Sequence, residues 1–115
     1  MLAACYRLRR RNDFRRIYAR GASRAYASFI IYRYPSRSSV PRIGVSASKK
    51  LGGAVQRNRG KRRMRAVCGE LLELFSPGYD YVFILRGAIL TAPYAQLREQ
   101  TTQAILAINT HGGRR

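Results

Sequence analysis

The sequence predicts a single α+β domain built on one hydrophobic core. The chain has 115 residues, close to the commonest size for one domain. Its hydrophobic periodicity switches from about 3.6 residues to two and back, in the order helix, two or three strands, helix, strand, helix. Residues 79–85 are apolar on both faces, a pattern that suits a strand with neighbours on either side.

The first helix is read from Asn12 as N-cap through Asp13, an acid in the first turn, to Arg20, with Gly21 as its stop. It puts Phe14, Ile17 and Tyr18 on one face. From Tyr26 to Tyr34 the period is two, with Ser28, Ile30, Tyr32 and Tyr34 on one side and Phe29, Ile31 and Arg33 on the other. The Pro35–Ser39 stretch supplies a turn, and Arg42–Ser46 alternates again with Ile43 and Val45 inward. These two strands are expected to pair antiparallel.

The longest helical pattern runs between Gly53 and Phe75, where Met64, Val67, Cys68, Leu71, Leu72 and Phe75 recur at spacings of three and four. Ser76-Pro77-Gly78 ends it, and the strand 79–85 should lie mid-sheet. Thr91 opens a final helix near Pro93, with Leu97, Thr101, Ala104, Ile105 and Ile108 on its apolar side. The segment from His111 to Arg115 is expected to fray.

Lys and Arg total 23 against 5 Asp and Glu, a net charge of +18. A folded domain this small repels itself at such a charge unless a polyanion is close by, so nucleic acid is the expected partner. The 46% hydrophobic content excludes a disordered basic tail. Cys5 and Cys68 stand far apart, with no Cys-x-x-Cys pair or His/Cys cluster, so neither zinc nor a disulfide framework is indicated. Cys68 belongs to the apolar helical stripe and is read as packing. No apolar run approaches the roughly 20 residues that span a bilayer, and Met1–Tyr6 is too short for a signal-peptide core. A cytoplasmic protein is expected.

From Lys49 to Arg65 the chain reads Lys-Lys-Leu-Gly-Gly-Ala-Val-Gln-Arg-Asn-Arg-Gly-Lys-Arg-Arg-Met-Arg, with no acid. On a helix, Asn58, Arg59, Arg62 and Arg65 fall opposite Met64, Val67 and Leu71, while Arg57 and Lys61 lie nearer the edge of the apolar stripe. Solvated helix faces usually mix signs, and like charges four residues apart are unfavourable on their own. The pattern therefore points to polyanion binding, steeply dependent on salt.

The segment Ser48-Lys49-Lys50-Leu51-Gly52, running into Ala54-Val55-Gln56-Arg57-Asn58-Arg59-Gly60-Lys61-Arg62, resembles the Arg-Asn-Arg region of the bacterial ribonuclease P protein family. The order of other motifs is similar too: Asp13-Phe14 with Tyr18 and Gly21, then Phe29-Ile30-Ile31-Tyr32, then Arg42-Ile43-Gly44-Val45-Ser46. The similarity covers most of residues 7–108, and four motifs in order make it far more specific than Arg-Asn-Arg alone. It implies a two-layer α/β sandwich, α-β-β-β-α-β-α, with a left-handed β-α-β crossover (ribosomal protein S5 domain 2-like), an exception to the usual hand. It further implies one RNA-binding domain ordered over about 7–109 with short flexible termini.

The resemblance also implies two RNA surfaces. Lys49, Lys50, Arg57, Asn58, Arg59, Lys61, Arg62 and Arg65 would meet the catalytic RNA, and a cleft lined by Phe14, Tyr18 and Tyr32 would hold the single-stranded 5′ leader of precursor tRNA. The residues support the cleft independently, since exposed aromatic faces stack on unpaired bases whatever the sequence. The alternative is that Phe14 and Tyr18 are ordinary core. The implied partners are those two RNAs, with no membrane and no obligate protein partner, and the implied cofactor is Mg2+ held mainly by the RNA. The chain departs from the family at three places. Gly60 replaces a bulky aliphatic residue on the core stripe, Gly53 replaces a polar one, and Arg63 adds a charge. A weaker N-terminal half of the helix is expected, because glycine inside a helix costs about 1 kcal/mol relative to alanine.

Phosphodiester hydrolysis by a protein calls for carboxylates that hold metal ions or for a histidine base. The acids Asp13, Glu70, Glu73, Asp80 and Glu99 form no such set, and His111 is the one histidine, near the C-terminus. Catalysis is therefore expected from the RNA, with the protein raising affinity for precursor over mature tRNA and offsetting RNA–RNA repulsion. A ribosomal protein would share the charge and size but would not require an aromatic cleft. A cationic membrane-active protein would leave its apolar helix face exposed, where the strands here offer a sheet to cover it.

Overall fold

The computed structural model describes residues 4–8 and 10–111. Its elements are α1 (Arg11–Arg20), β1 (Ala22–Ala25), β2 (Phe29–Pro35), β3 (Arg42–Ser46), α2 (Ala54–Glu70), β4 (Tyr79–Leu85) and α3 (Tyr94–His111). Short 3-10 turns at Ala4–Tyr6, Lys49–Leu51, Leu72–Leu74 and Gly87–Leu90 join them. The four-stranded sheet has the order β1-β2-β4-β3.

β4 is central, as its two apolar faces require. It runs antiparallel to β2 and parallel to β3, the latter through the β3-α2-β4 crossover. This overturns the expected β2–β3 pair. β4 carries apolar side chains in both directions and can be covered on both faces, so it takes the middle and separates the other two. The strand read from Tyr26 begins at Phe29, and another precedes it: β1 folds back on β2, and the Tyr26 N–H donates to the Phe29 carbonyl at 2.8 Å across the turn. Ala-Ser-Arg-Ala has no apolar alternation to announce β1.

The main core lies between the sheet and the helices α2 and α3. Phe29, Ile31, Ile43, Val45, Tyr81, Phe83 and Leu85 from the strands meet Met64, Val67, Cys68 and Leu71 from α2, and Leu97, Ala104, Ile105 and Ile108 from α3. Fully burying one such aliphatic side chain contributes about 1.5–3 kcal/mol. Both cysteines are free, and burial pushes the Cys68 thiol well above its ordinary range, so it is inert packing. The opposite face is covered only in part, by α1, whose Ile17 packs on Val82 with Leu8 beside it. Residues 7 and 8 also cover the outer edge of β3: Arg7 bridges Ile43 in parallel, and the Leu8 N–H donates to the Ile43 carbonyl at 2.8 Å.

Several boundaries differ from the sequence reading. Arg10, not Asn12, caps α1, with its carbonyl accepting from the Asp13 and Phe14 N–H groups. Gly21 ends α1 in extended backbone, not left-handed; an added Cβ would lie 2.6 Å from the Ile17 carbonyl oxygen, so close approach selects glycine there. Thr91 closes the 3-10 turn and α3 starts at Tyr94. His111 is the last residue of α3, not part of a tail; of the termini expected to be flexible, residues 4–6 form a 3-10 turn and 110–111 continue α3, while 1–3 and 112–115 lie outside the described residues.

α2 is unbroken through Gly60. That glycine is buried, and an added Cβ would stand 3.2–3.3 Å from Leu51, Ile89 and Leu85. The missing side chain lets the 3-10 turn Gly87–Leu90 sit against the helix. Arg63 completes the join by donating Nη1 to the Ile89 carbonyl at 2.7 Å and Nη2 to the Ala92 carbonyl at 2.5 Å. The weak N-terminal half expected of α2 is therefore held by its neighbours.

Candidate nucleic-acid interface

The loop Lys49–Leu51 and the first turns of α2 form one cationic surface. Gly52, at φ +135, supplies the backbone that few side chains tolerate, and it turns the loop into the helix. Leu51 points back onto the core, leaving Lys49 and Lys50 exposed. Asn58, Arg59 and Arg62 are exposed as the periodicity requires; Arg57, Lys61 and Arg65 are half-buried. Arg57 donates to the Gly52 carbonyl at 2.9 Å, so it fixes the loop as well as adding charge. Gly53 offers no side-chain cap, which leaves first-turn N–H groups and the positive end of the helix dipole beside Lys49 and Lys50. Arg63, basic in the same run, is spent on the Ile89 and Ala92 carbonyls. Sequence periodicity did not single out Val55, which is 75% exposed within this surface. Its signal was an apolar residue standing off the core stripe.

The second region lies on the α1 face of the sheet. Strand register divides that face into cross-strand rows: Ala25, Ile30, Ile84 and Ser46; then Ser23, Tyr32, Val82 and Gly44; then Tyr34, Asp80 and Arg42. α1 lies along the middle row, with Ile17 on Val82 and Phe14 on Gly44. The first row stays half-open, with Ala25 exposed and Ile30, Ile84 and Ser46 half-buried. The three predicted aromatic residues do come together at its border. Phe14 and Tyr18 have ring centroids 6.2 Å apart, and Tyr18 and Tyr32 5.2 Å, both edge-on. Tyr18 is 37% exposed. Its hydroxyl stands by Ser46, and partial burial holds its pKa above the ordinary tyrosine value despite that hydrogen bond. Phe14 and Tyr32 are half-buried, so each is both packing and wall. The result is an apolar shelf with aromatic edges and a hydroxyl rim, suited to stacking unpaired bases.

Asp13, Glu70 and Asp80 are placed for structure. Arg42 grips the buried Asp80 through Nε at 2.8 Å and Nη2 at 2.7 Å, Arg16 reaches Asp13 at 3.4 Å, and Arg98 reaches Glu70 at 3.0 Å. Among the described residues no three of His, Cys, Asp and Glu gather as a metal site, and the paired acids do not fit a resident magnesium ion.

Fold and surfaces together define an α+β nucleic-acid-binding domain with a cationic helix and an aromatic shelf. A family model for Ribonuclease P matches residues 2–109. The ribonuclease P protein component of Geobacillus kaustophilus is 44% identical over 96 residues, covering 82% of this chain and 78% of the relative. The solved ribonuclease P protein of Staphylococcus aureus superposes with a TM-score of 0.78 at 31% identity, covering 91% of this chain and 95% of that one. That of Thermotoga maritima gives 0.77 at 26%, covering 86% and 94%. The chain belongs to the ribonuclease P protein family. It is thus the protein subunit of a ribonucleoprotein endoribonuclease whose RNA subunit is catalytic.

Proposed function

We propose that the chain binds the catalytic RNA through the α2 surface and the 5′ leader of precursor tRNA through the aromatic shelf, so that leader removal proceeds at lower magnesium. The observation that carries this is the meeting of Phe14, Tyr18 and Tyr32 beside a half-open row of the sheet, a shelf that core packing alone does not require. Lys49, Lys50, Arg57, Asn58, Arg59, Lys61, Arg62 and Arg65 are the residues assigned to the catalytic RNA. Magnesium belongs to that RNA in this reading, since the paired carboxylates here do not suit it, and the chain's contribution is cationic charge where two RNAs must approach. Mature tRNA lacks the leader, so the shelf discriminates precursor from product. The setting is the cytoplasm; among the described residues no helix is long and apolar enough to cross a membrane.

The test is reconstitution with a bacterial ribonuclease P RNA, scoring 5′ leader removal at low magnesium. Stimulation by the chain is expected, and none would refute the proposal. Replacing Arg59, Arg62 and Arg65 by Ala should weaken assembly and flatten the salt slope by up to about three, one for each phosphate no longer neutralised. Tyr32→Ala should instead narrow the preference for precursor over mature tRNA by about 1–3 kcal/mol, the worth of one stacked base. An equal loss for both substrates would remove the shelf from the mechanism.

A further inference from the structure

α1 divides its sheet face in two, and the shelf occupies only the Ala25-Ile30-Ile84-Ser46 side. On the other flank the row Tyr34, Asp80, Arg42 emerges, roughly 13 Å from the first row at two residues per row. There the β2–β3 turn faces α1 across a hollow of about 680 Å3, and a second of about 550 Å3 lies round the end of the sheet; the two share Pro35 and make one groove. Arg16 and Arg20 line it from α1, and Arg33, Arg37 and Arg42 from the sheet and turn.

Part of this groove's charge has no internal partner, although Arg33 donates to the Asn109 carbonyl at 3.5 Å. Asp80 is the acid in its lining and is already gripped by Arg42. Arg16 reaches Asp13 only at 3.4 Å, with its side chain 54% exposed. Arg20 and Arg37 are exposed, and neither side chain has a hydrogen bond or ion pair among the described residues. Along α1, Arg11 and Arg15, and Arg16 and Arg20, stand four apart, a like-charge spacing that opposes the helix unless something neutralises it. The smaller hollow also offers flat surface: on the α3 side of the sheet the Arg33 guanidinium, which donates to the Asn109 carbonyl, lies 4.2 Å from the centre of the Tyr79 ring, and Tyr34 stands on the α1 side. Guanidinium groups interleaved with aromatic rings suit a single nucleic-acid strand.

We propose that this groove binds the phosphodiester backbone of single-stranded RNA, as a track separate from both the shelf and α2. The proposal rests on the ribonuclease P reading, which is what brings RNA to this domain. The track is separate by position. The basic half of α2 packs at the Leu85 and Ile89 end of the sheet, whereas the groove lies at Tyr79 and Asp80, roughly 20 Å away along β4. The strand it holds is either the leader beyond the shelf or a single-stranded segment of the partner RNA.

The experiment uses holoenzyme reconstituted with a bacterial ribonuclease P RNA and the variant Arg20→Ala/Arg37→Ala. Arg10→Ala serves as control, since it removes an exposed charge just before α1 and outside both hollows. Affinity is measured for precursor tRNA with short and with long leaders, and for the protein with the catalytic RNA alone. If the leader occupies the groove, long-leader binding weakens roughly tenfold and its salt slope drops by about 1.4, while short-leader binding holds. If the partner RNA occupies it, protein–RNA association weakens similarly at every leader length. Losses no larger than those of Arg10→Ala in both measurements overturn the groove. The Arg59→Ala/Arg62→Ala/Arg65→Ala variant runs alongside. Weakened assembly there with an inert groove variant defeats the groove alone, whereas no weakening there defeats the assignment of α2 to the catalytic RNA.

Discussion

A methyl group added at Gly44 would lie 2.6 Å from Cζ and 2.8 Å from Cε1 of Phe14, closer than real side chains approach. The glycine is thus the socket for that ring, and through the Phe14–Tyr18–Tyr32 chain it sets the edge of the shelf. Gly44→Ala is expected to lower stability by about 1–3 kcal/mol, the usual cost of overpacking. Adding Phe14→Leu should recover part of that loss in a urea-unfolding cycle, although Phe14→Leu alone is destabilising. Strict additivity would show that the two do not share the space. At this scale the sequence was partly legible. Periodicity placed Phe14, Tyr18 and Tyr32, but a pattern of apolar residues carries no record of which glycine faces which ring. Arg63 and Gly60 were visible as departures. Their joint role, admitting and then pinning the Gly87–Leu90 turn, depends on residues some 26 positions away, as in the Arg63–Ile89 hydrogen bond.

At the scale of elements, helices and the central strand were readable because each carries its own period, whereas β1 and the pairing of β3 were not. Ala22–Ala25 has no apolar face, and whether β3 pairs with β2 or β4 is decided by competition for the centre of the sheet. One joint between elements carries its own pH signature. Glu70 near the end of α2 accepts from the Tyr94 hydroxyl and from Arg98 Nε on α3. Hydrogen bonds from Tyr94 and Arg98 hold the Glu70 carboxyl below its ordinary range, so its contribution is present above that range and lost as pH falls through the lowered value. Burial first, and the bond to Glu70 second, push Tyr94 up to about 12. Its contribution is complete below the ordinary tyrosine value of 10.0 and is lost as pH rises through about 12. The stability difference between the wild type and Tyr94→Phe should therefore be flat from mildly acidic to mildly alkaline pH and shrink on both sides. A difference that grew above pH 10.0 would contradict this sign.

Over the whole molecule, a charge of +18 acts on folding and on binding in opposite senses. The free chain repels itself, since 5 acids face 23 cations, and pairs such as Arg16–Asp13, Arg42–Asp80 and Arg98–Glu70 use up acids without changing that excess. Screening shortens the reach of that repulsion from about 30 Å at 0.01 M salt to about 8 Å at 0.15 M. Added salt should therefore raise the thermal midpoint of the free protein. It should lower affinity for RNA over the same range, because every phosphate the protein neutralises has released counterions that added salt drives back. The complex joins the two effects: RNA that binds only the folded form stabilises it by mass action, and that gain is largest where salt is lowest. Melting curves across a salt series should therefore rise for the protein alone, fall for the protein saturated with a bacterial ribonuclease P RNA, and converge at high salt. A free-protein midpoint that is indifferent to salt would mean that local packing of the Arg57–Arg65 and Arg11–Arg20 surfaces already absorbs their repulsion, and that RNA is not needed to offset it.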